Sequence, residues 1–303
     1  MRIGELIRPG EPVFSFEFFP PKTDEGVEAL FAVVEQLSLL RPDFASVTYG
    51  AGGATREGTL EVATRLIGEH GIETMAHLSC VGETISGLEE ILGRIEAVGI
   101  ENVLALRGDP PRGASDFEAP AGGLSSAAEL VEFISARHEF AIGATCFPEV
   151  HPEAQSLEAD LAYLKTKVDA GAQFLITQLF FDNESFWAWR DQARQAGIEV
   201  PIMVGVMPIT SYSKLQRFCE LCEAVIPDAL ADALAACEGD QRAEAELGIA
   251  YASRQCEELL AGGVAGIHFY TLNEAPATRA ILAALRAAQP WKRAGGTTEP
   301  VTR

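Results

Sequence analysis

The chain has 303 residues, 48% of them hydrophobic, with a formal net charge of -21. That length suits one α/β barrel, which takes about 250 residues plus insertions. The acids are spread along the chain, which argues against nucleic acid or an anionic membrane as partner, though a small anionic ligand needs only a locally favourable pocket. No apolar run reaches the roughly 20 residues of a membrane span. The N-terminal stretch Met1–Leu6 lacks a signal-type apolar segment, so the expected location is cytoplasmic.

In chain order, short β-rich runs alternate with longer helical stretches. The runs are Val13–Phe19, Phe44–Thr48, Glu73–Leu78, Val103–Leu106, Ala141–Phe147, Phe174–Leu179, Pro201–Gly205 and Gly266–Thr271. Helical periodicity fills the intervals, as in Asp24–Leu40, Thr84–Val98 and Leu157–Ala170, with a helix start at Thr84. Gly71, Gly99, Gly171 and Gly197 stand where helices should stop before the next strand. Eight such units predict a (β/α)8 TIM barrel rather than an open doubly wound sheet, which would leave repeats over. Residues 1–290 form the single expected domain, with extra helices between strands seven and eight, roughly Pro227–Gly263. Residues 291–303 read as a disordered tail.

Six cysteines lie at 80, 146, 219, 222, 237 and 256. Cys219 and Cys222 make a C-x-x-C within a predicted helix, Lys214–Val225, with no second ligand pair at zinc spacing. They read as buried or half-buried thiols, and no metal site is expected. The loop Gly50-Ala51-Gly52-Gly53-Ala54-Thr55 invites a dinucleotide reading. It fails the glycine pattern at Thr55 and lacks the later acid, with His77 near that place instead.

A barrel does its chemistry at the C-terminal ends of its strands, and unusual polar residues gather there. Glu17 lies between Phe16 and Phe18, where desolvation would disfavour its charge and suit it to general acid work. The bland alternative is a glutamate paired with Lys22 or an arginine. Asp109 follows Arg107-Gly108, where glycine suggests close backbone approach. Gln178, an amide in a strand, needs partners and can read the edge of a pterin or nicotinamide, although neighbouring side chains would also satisfy it. His77 and His151 lack metal spacing, and each alone is more often structural.

Taken together, Phe14-Ser15-Phe16-Glu17-Phe18-Phe19-Pro20-Pro21-Lys22, Ser46-Val47-Thr48-Tyr49-Gly50-Ala51-Gly52-Gly53, Leu104-Ala105-Leu106-Arg107-Gly108-Asp109-Pro110-Pro111, Pro148-Glu149-Val150-His151-Pro152, Ile176-Thr177-Gln178 and His268-Phe269-Tyr270-Thr271-Leu272-Asn273 closely resemble the bacterial methylenetetrahydrofolate reductases, from about Ile3 to Leu285. The resemblance implies reduction of 5,10-methylenetetrahydrofolate to 5-methyltetrahydrofolate with NADH or NADPH through bound FAD, by a ping-pong route, in a homo-dimer or homo-tetramer. It implies Glu17 as general acid and Asp109 beside flavin and pterin. Gln178 and Phe218 would contact pterin or nicotinamide. Thr48, His77, Arg107, Gly108, Phe147, His151, Asp160 and Lys167 would contact or border the flavin nucleotide.

The chain also departs from that pattern. Ser126 stands where a tyrosine is usual, Phe147 where some members have tyrosine, and Tyr163 and Thr166 where some have asparagine and arginine. Each change removes an expected cofactor contact. Glu274 stands where relatives can carry a basic residue for the folate's glutamate tail. The altered positions motivate one alternative, a flavin-independent barrel reductase with direct hydride transfer. A folate- or corrinoid-associated binding subunit is a third reading, and the intact Glu17 argues against it.

Overall fold

The computed structural model describes residues 1–49, 53–108 and 119–292, the side chains of 53–56 excepted. Eight parallel strands close in sequence order: β1 (Val13–Phe18), β2 (Phe44–Val47), β3 (Thr74–Ser79), β4 (Asn102–Leu106), β5 (Ala141–Cys146), β6 (Phe174–Thr177), β7 (Ile202–Val206) and β8 (Gly266–Tyr270). Closure is made by β8 against β1, in the register Ser15↔His268 and Glu17↔Tyr270. The expected runs fall on these strands to within two residues. The closed order disposes of the open-sheet alternative.

Period-two alternation sorts each strand into two faces. Phe14, Phe16 and Phe18 of β1 pack outward with helix residues such as Leu30, Val34 and Leu282. Val13, Phe44, Met75, Leu104, Phe174, Ile176 and Met203 turn inward and fill the lower barrel. Burial on both faces is why the strands read as apolar runs in the sequence. A four-residue helix, α1 (Ile3–Leu6), plugs the lower end, with Ile3 fully buried against that inner layer.

Several of the barrel helices begin at side-chain caps. In α2 (Asp24–Ser38) Thr23 accepts from the Gly26 amide, in α4 (Ile85–Ala97) Thr84 from Gly87, and in α6 (Leu157–Asp169) Ser156 from Ala159. Helix α3 spans Gly53–His70 and α7 spans Asn183–Gln195. The four stop glycines all take positive φ, from 62° at Gly71 to 128° at Gly171, as C-terminal caps require.

Between β7 and β8 lie α8 (Tyr212–Cys222), α9 (Asp228–Ala235) and α10 (Gln241–Ala261). Gly248, Ala252, Cys256, Leu259 and Leu260 of α10 are buried, and α10 packs on α11 (Pro276–Ala288) as the wall helix of this unit. Gly248 is needed there, since a Cβ would come within 2.1 Å of the Ile209 carbonyl oxygen. Cys219 and Cys222 sit one turn apart on α8 as free thiols, and burial pushes Cys219 up to about 12. Trp291, within the expected tail, instead belongs to a 3-10 turn (Pro290–Lys292), and its ring lies 5.6 Å from that of Phe14. Residues 293–303 of that tail lie outside the described residues. No helix among the described residues is long and apolar enough to cross a membrane.

Candidate active site

Glu17 is the fifth residue of β1 and faces the barrel interior, only 6% exposed. Its partner is neither Lys22 nor an arginine. Its Oε2 lies 3.5 Å from His77 Nε2 on β3 and 3.5 Å from His268 Nε2 on β8, both buried. Burial holds His77 at about 4, with Glu17 pulling upward and His268 downward. Near neutral pH His77 is therefore the uncharged imidazole, and its approach to Glu17 is a polar contact rather than an ion pair.

His268 is fixed from both sides of its ring. Its Nδ1 shares a 2.7 Å hydrogen bond with the Ser15 hydroxyl, and its Nε2 lies 3.4 Å from the Ser46 hydroxyl. Tyr270, two residues on, reaches over β7 to β6 and donates to the Thr177 carbonyl at 2.6 Å. Gly205 makes room for that crossing, because a Cβ there would meet the Tyr270 hydroxyl at 2.5 Å. Burial first, then the Glu17 charge, raises the Tyr270 phenol well above its ordinary value. His268, Ser15, Ser46 and Tyr270 were not singled out from the sequence. The available signal was parity, because all four fall on the inward positions that Glu17 defines.

A second polar group gathers where β4 and β5 end. Gly108 has φ +88°, and a Cβ there would meet Val81 at 2.5 Å, so the turn demands glycine. Arg107 holds Glu153 through its two terminal guanidinium nitrogens, at 2.5 and 2.7 Å. Val150, a β-branched residue, sits at φ 69° in the loop after β5, a strained conformation. That turn sets the His151 ring edge-on to Phe147 at 4.5 Å. The His151 amide donates to Asp160 Oδ2 at 3.1 Å. Lys167, two turns along α6, is 4% exposed and donates to the Thr145 carbonyl at 2.6 Å. Burial lowers Lys167 and His151 and raises Asp160, each pushed away from its charged form.

The departures have structural occupations. Ser126 caps α5 (Ala127–Arg137), accepting from the Glu129 amide, while the Glu129 carboxylate reaches back to the Ser125 amide and hydroxyl. The Ser126-x-x-Glu129 spacing was readable as a capping box. Tyr163 on α6 accepts from the Ala128 amide at 3.4 Å, with Lys167 Nζ 5.2 Å from its ring centroid. Thr166 bonds back to the Tyr163 carbonyl.

Thr48 follows β2, and its carbonyl accepts from the Thr59 hydroxyl. Gln178 lies one residue beyond β6 rather than within it, and its side-chain oxygen accepts from the Leu179 amide. Phe218 is part-buried on α8, in a cluster that also holds Leu179, Tyr270 and Leu272. The structure thus brings Glu17 and His77 together, and separately Arg107, Phe147, His151, Asp160 and Lys167. Phe218 shares an apolar cluster with Tyr270, and Gln178 adjoins that cluster in the chain through Leu179. Asp109 lies outside the described residues.

The family model for methylenetetrahydrofolate reductase matches residues 2–286. Among curated relatives, methylenetetrahydrofolate reductase (NADH) 1 of Arabidopsis thaliana is 41% identical over 283 residues, covering 90% of this chain and 48% of that protein. The 5,10-methylenetetrahydrofolate reductase of Escherichia coli K12 is 38% identical over 272 residues, covering 90% of each chain. The chain thus spans about half the length of the plant relative and most of the bacterial one. A Clostridium thermocellum protein, described as binding two copies of 5-methyl-5,6,7,8-tetrahydrofolic acid, shares the fold with a TM-score of 0.61 at 16% identity, covering 92% of this chain and 95% of that one. With a family model matched from end to end of the barrel, and relatives this similar over nine-tenths of its length, the chain belongs to the methylenetetrahydrofolate reductase family.

Proposed function

We propose that this protein reduces 5,10-methylenetetrahydrofolate to 5-methyltetrahydrofolate with electrons from NADH or NADPH, carried by bound FAD. The observation that carries this reading is a carboxyl group buried on the inner face of β1, with the ring nitrogens of His77 and His268 each 3.5 Å away. A carboxyl group at that place can serve as the proton donor of the folate half-reaction. Glu17 gives that proton to the folate amine nitrogen bonded to the methylene carbon. The C–N bond then opens and leaves an electrophilic iminium carbon to accept hydride. Gln178 and Phe218 offer an amide edge and a flat apolar face, which suit pterin and nicotinamide in turn. A single pocket used by two ligands in succession is what a ping-pong route needs.

The residues at β4, β5 and α6 fit a flavin nucleotide. Gly108 lets the chain turn tightly against Val81 and Ser79 where β4 ends, and Arg107, His151, Asp160 and Lys167 supply cations and hydrogen-bonding groups at the ends of β4 and β5 and along α6. Arg107 and Lys167 would hold the phosphates, and His77, Thr48, Phe147 and His151 would border the ring and ribose. FAD, when bound, supplies a two-electron carrier between nicotinamide and folate. The Arg107–Glu153 pairing favours the second reading, direct hydride transfer without flavin, because a phosphate would have to displace that carboxylate.

The visible spectrum of the purified protein separates the two. We expect flavin absorption that bleaches with anaerobic NADH and recovers on adding methylenetetrahydrofolate. A colourless protein that still oxidises NADH with the folate would establish the direct route. In the flavoprotein, Glu17→Gln is expected to slow the folate half-reaction by about 10²- to 10⁴-fold and leave reduction by NADH nearly normal. Equal loss in both half-reactions would remove Glu17 from the acid role.

A further inference from the structure

We propose that Glu149 is a positioning residue: it ties the turn after β5 to the far end of α8 and so sets where Phe218 meets the substrate ring. This deepens the folate reading above and rests on it. The Val225 amide, three residues past the end of α8, donates to Glu149 Oε2 at 2.9 Å. Glu149 is half-buried between Phe147 and His151, in a turn closed by the Val150 amide on the Phe147 carbonyl at 3.1 Å. One short turn therefore presents the Phe147–His151 ring pair and also holds the helix that carries Phe218.

The other end of α8 is already pinned. Ser211 stands at the N-cap without a capping hydrogen bond, and its hydroxyl meets that of Ser213 at 3.0 Å instead. Glu244 of α10 does the capping. It is 6% exposed, and its Oε2 accepts from the Tyr212 amide at 2.8 Å. Its Oε1 accepts from the Gly239 amide at 3.3 Å, which joins α8 to the connection between α9 and α10. A negative charge at a helix N-terminus also suits the helix dipole. With that end fixed, the far end decides the tilt of α8. Phe218 lies midway, six residues from Tyr212 and seven from Val225.

Helix stability does not explain Glu149. A carboxylate beside a helix C-terminus opposes the dipole. Burial pushes Glu149 up, the Val225 amide draws it back, and the Asp182 charge pushes it up again. The backbone on both sides of the link is strained as well. Val150 sits at φ 69°, and Glu223, where α8 stops, at φ 55°, both left-handed and neither glycine. A group that burial and charge both disfavour, held between two strained residues, is accounted for by what it joins. The ring contact on α8 is kept in register with the ring pair after β5.

The test combines hydrogen exchange with equilibrium binding of 5-methyltetrahydrofolate. Wild type, Glu149→Ala, Glu149→Gln, Phe218→Ala and the Glu149→Ala, Phe218→Ala double variant are compared, each checked for folding by its thermal midpoint. Glu149→Ala is expected to speed exchange of the Val225 amide by about tenfold and to weaken the ligand by about three- to tenfold. Glu149→Gln keeps an acceptor oxygen at the same reach and should restore both to within about twofold of wild type. In the Phe218→Ala background, Glu149→Ala should cost no further affinity. Unchanged exchange at Val225 would overturn the tie. Faster exchange with unchanged affinity would make the link merely structural and overturn the positioning role. So would a loss that persists without Phe218, or a glutamine variant as weak as the alanine one. Failure of the wild-type protein to bind 5-methyltetrahydrofolate would instead overturn the folate reading itself.

Discussion

The lower and upper halves of the barrel interior are built from the same strands and could hardly differ more in chemistry. Below, Val13, Phe44, Met75, Leu104, Phe174 and Met203 form an apolar layer closed by Ile3. Two residues further along, about 6.6 Å of strand, the inward positions become Ser15, Ser46, His77 and His268, and then Glu17 and Tyr270. One step of the pleat separates the residues that hold the barrel shut from those that would act on a substrate. The polar layer is costly to bury; His268 is hydrogen-bonded by Ser15 and Ser46, whereas the buried His77 Nε2 has no hydrogen-bond partner among the described residues. Stability should therefore be set mainly below the step and reactivity above it.

The largest expected effect on stability breaks the lower layer. Phe174 is fully buried, and its ring fills the space that Gly143 leaves, where a Cβ would come within 2.6 Å of it. Phe174→Ala should cost about 3–5 kcal/mol in urea unfolding, because rigid strands on every side cannot collapse into the cavity. Activity per folded molecule should change little. A variant that keeps its stability but loses turnover would show that the two layers are not separable.

The next effect sharpens the division from above. His77 resists protonation down to about 4, whereas in the unfolded chain it takes a proton near 6.5. Its depressed value contributes stability that is complete above pH 6.5 and is lost as pH falls toward 4, an expected about 3 kcal/mol. His77→Gln removes the titrating group. Its stability should fall by about 3 kcal/mol less than that of wild type between pH 7 and pH 4. Parallel decline of both proteins would mean that His77 is protonated without cost, and that the upper layer is far wetter than its packing indicates.

The two layers were unequally legible in the sequence. The strands announced themselves because burial on both faces makes them continuous apolar runs, and the stop glycines marked the units. Helix α1 was missed because four residues carry no periodicity, although Ile3 closes the barrel floor. Glu17 and His77 were visible as polar residues at strand ends. His268 stood in plain view as well, but its bearing on Glu17 depends on β8 closing against β1, a pairing of residues some 250 apart. Ser126 read as the loss of a tyrosine, whereas locally it is a helix cap whose glutamate partner stands three residues on. Contacts within one turn are written in spacing. Contacts across the closed barrel are not, which is why Glu153 on Arg107 and Lys214 on Glu274 appear only in the fold.

Tyr270 offers the smallest and most discriminating change, since it lies at the top of the polar layer yet looks structural. Its ring crosses Gly205 and its hydroxyl donates to the Thr177 carbonyl, joining β8 to β6 above β7. Tyr270→Phe keeps the ring and its packing and deletes only that hydrogen bond. The expected cost is about 1 kcal/mol in urea unfolding, the usual net worth of one intramolecular hydrogen bond. Because burial and the Glu17 charge hold the phenol well above its ordinary value, it stays protonated throughout the working range. The variant's pH–rate profile should therefore overlay that of wild type. A loss approaching that of Phe174→Ala would mean that the upper layer bears the barrel's stability as the lower one does. A displaced acid limb would place Tyr270 in the electrostatic circuit of Glu17 rather than in the frame around it.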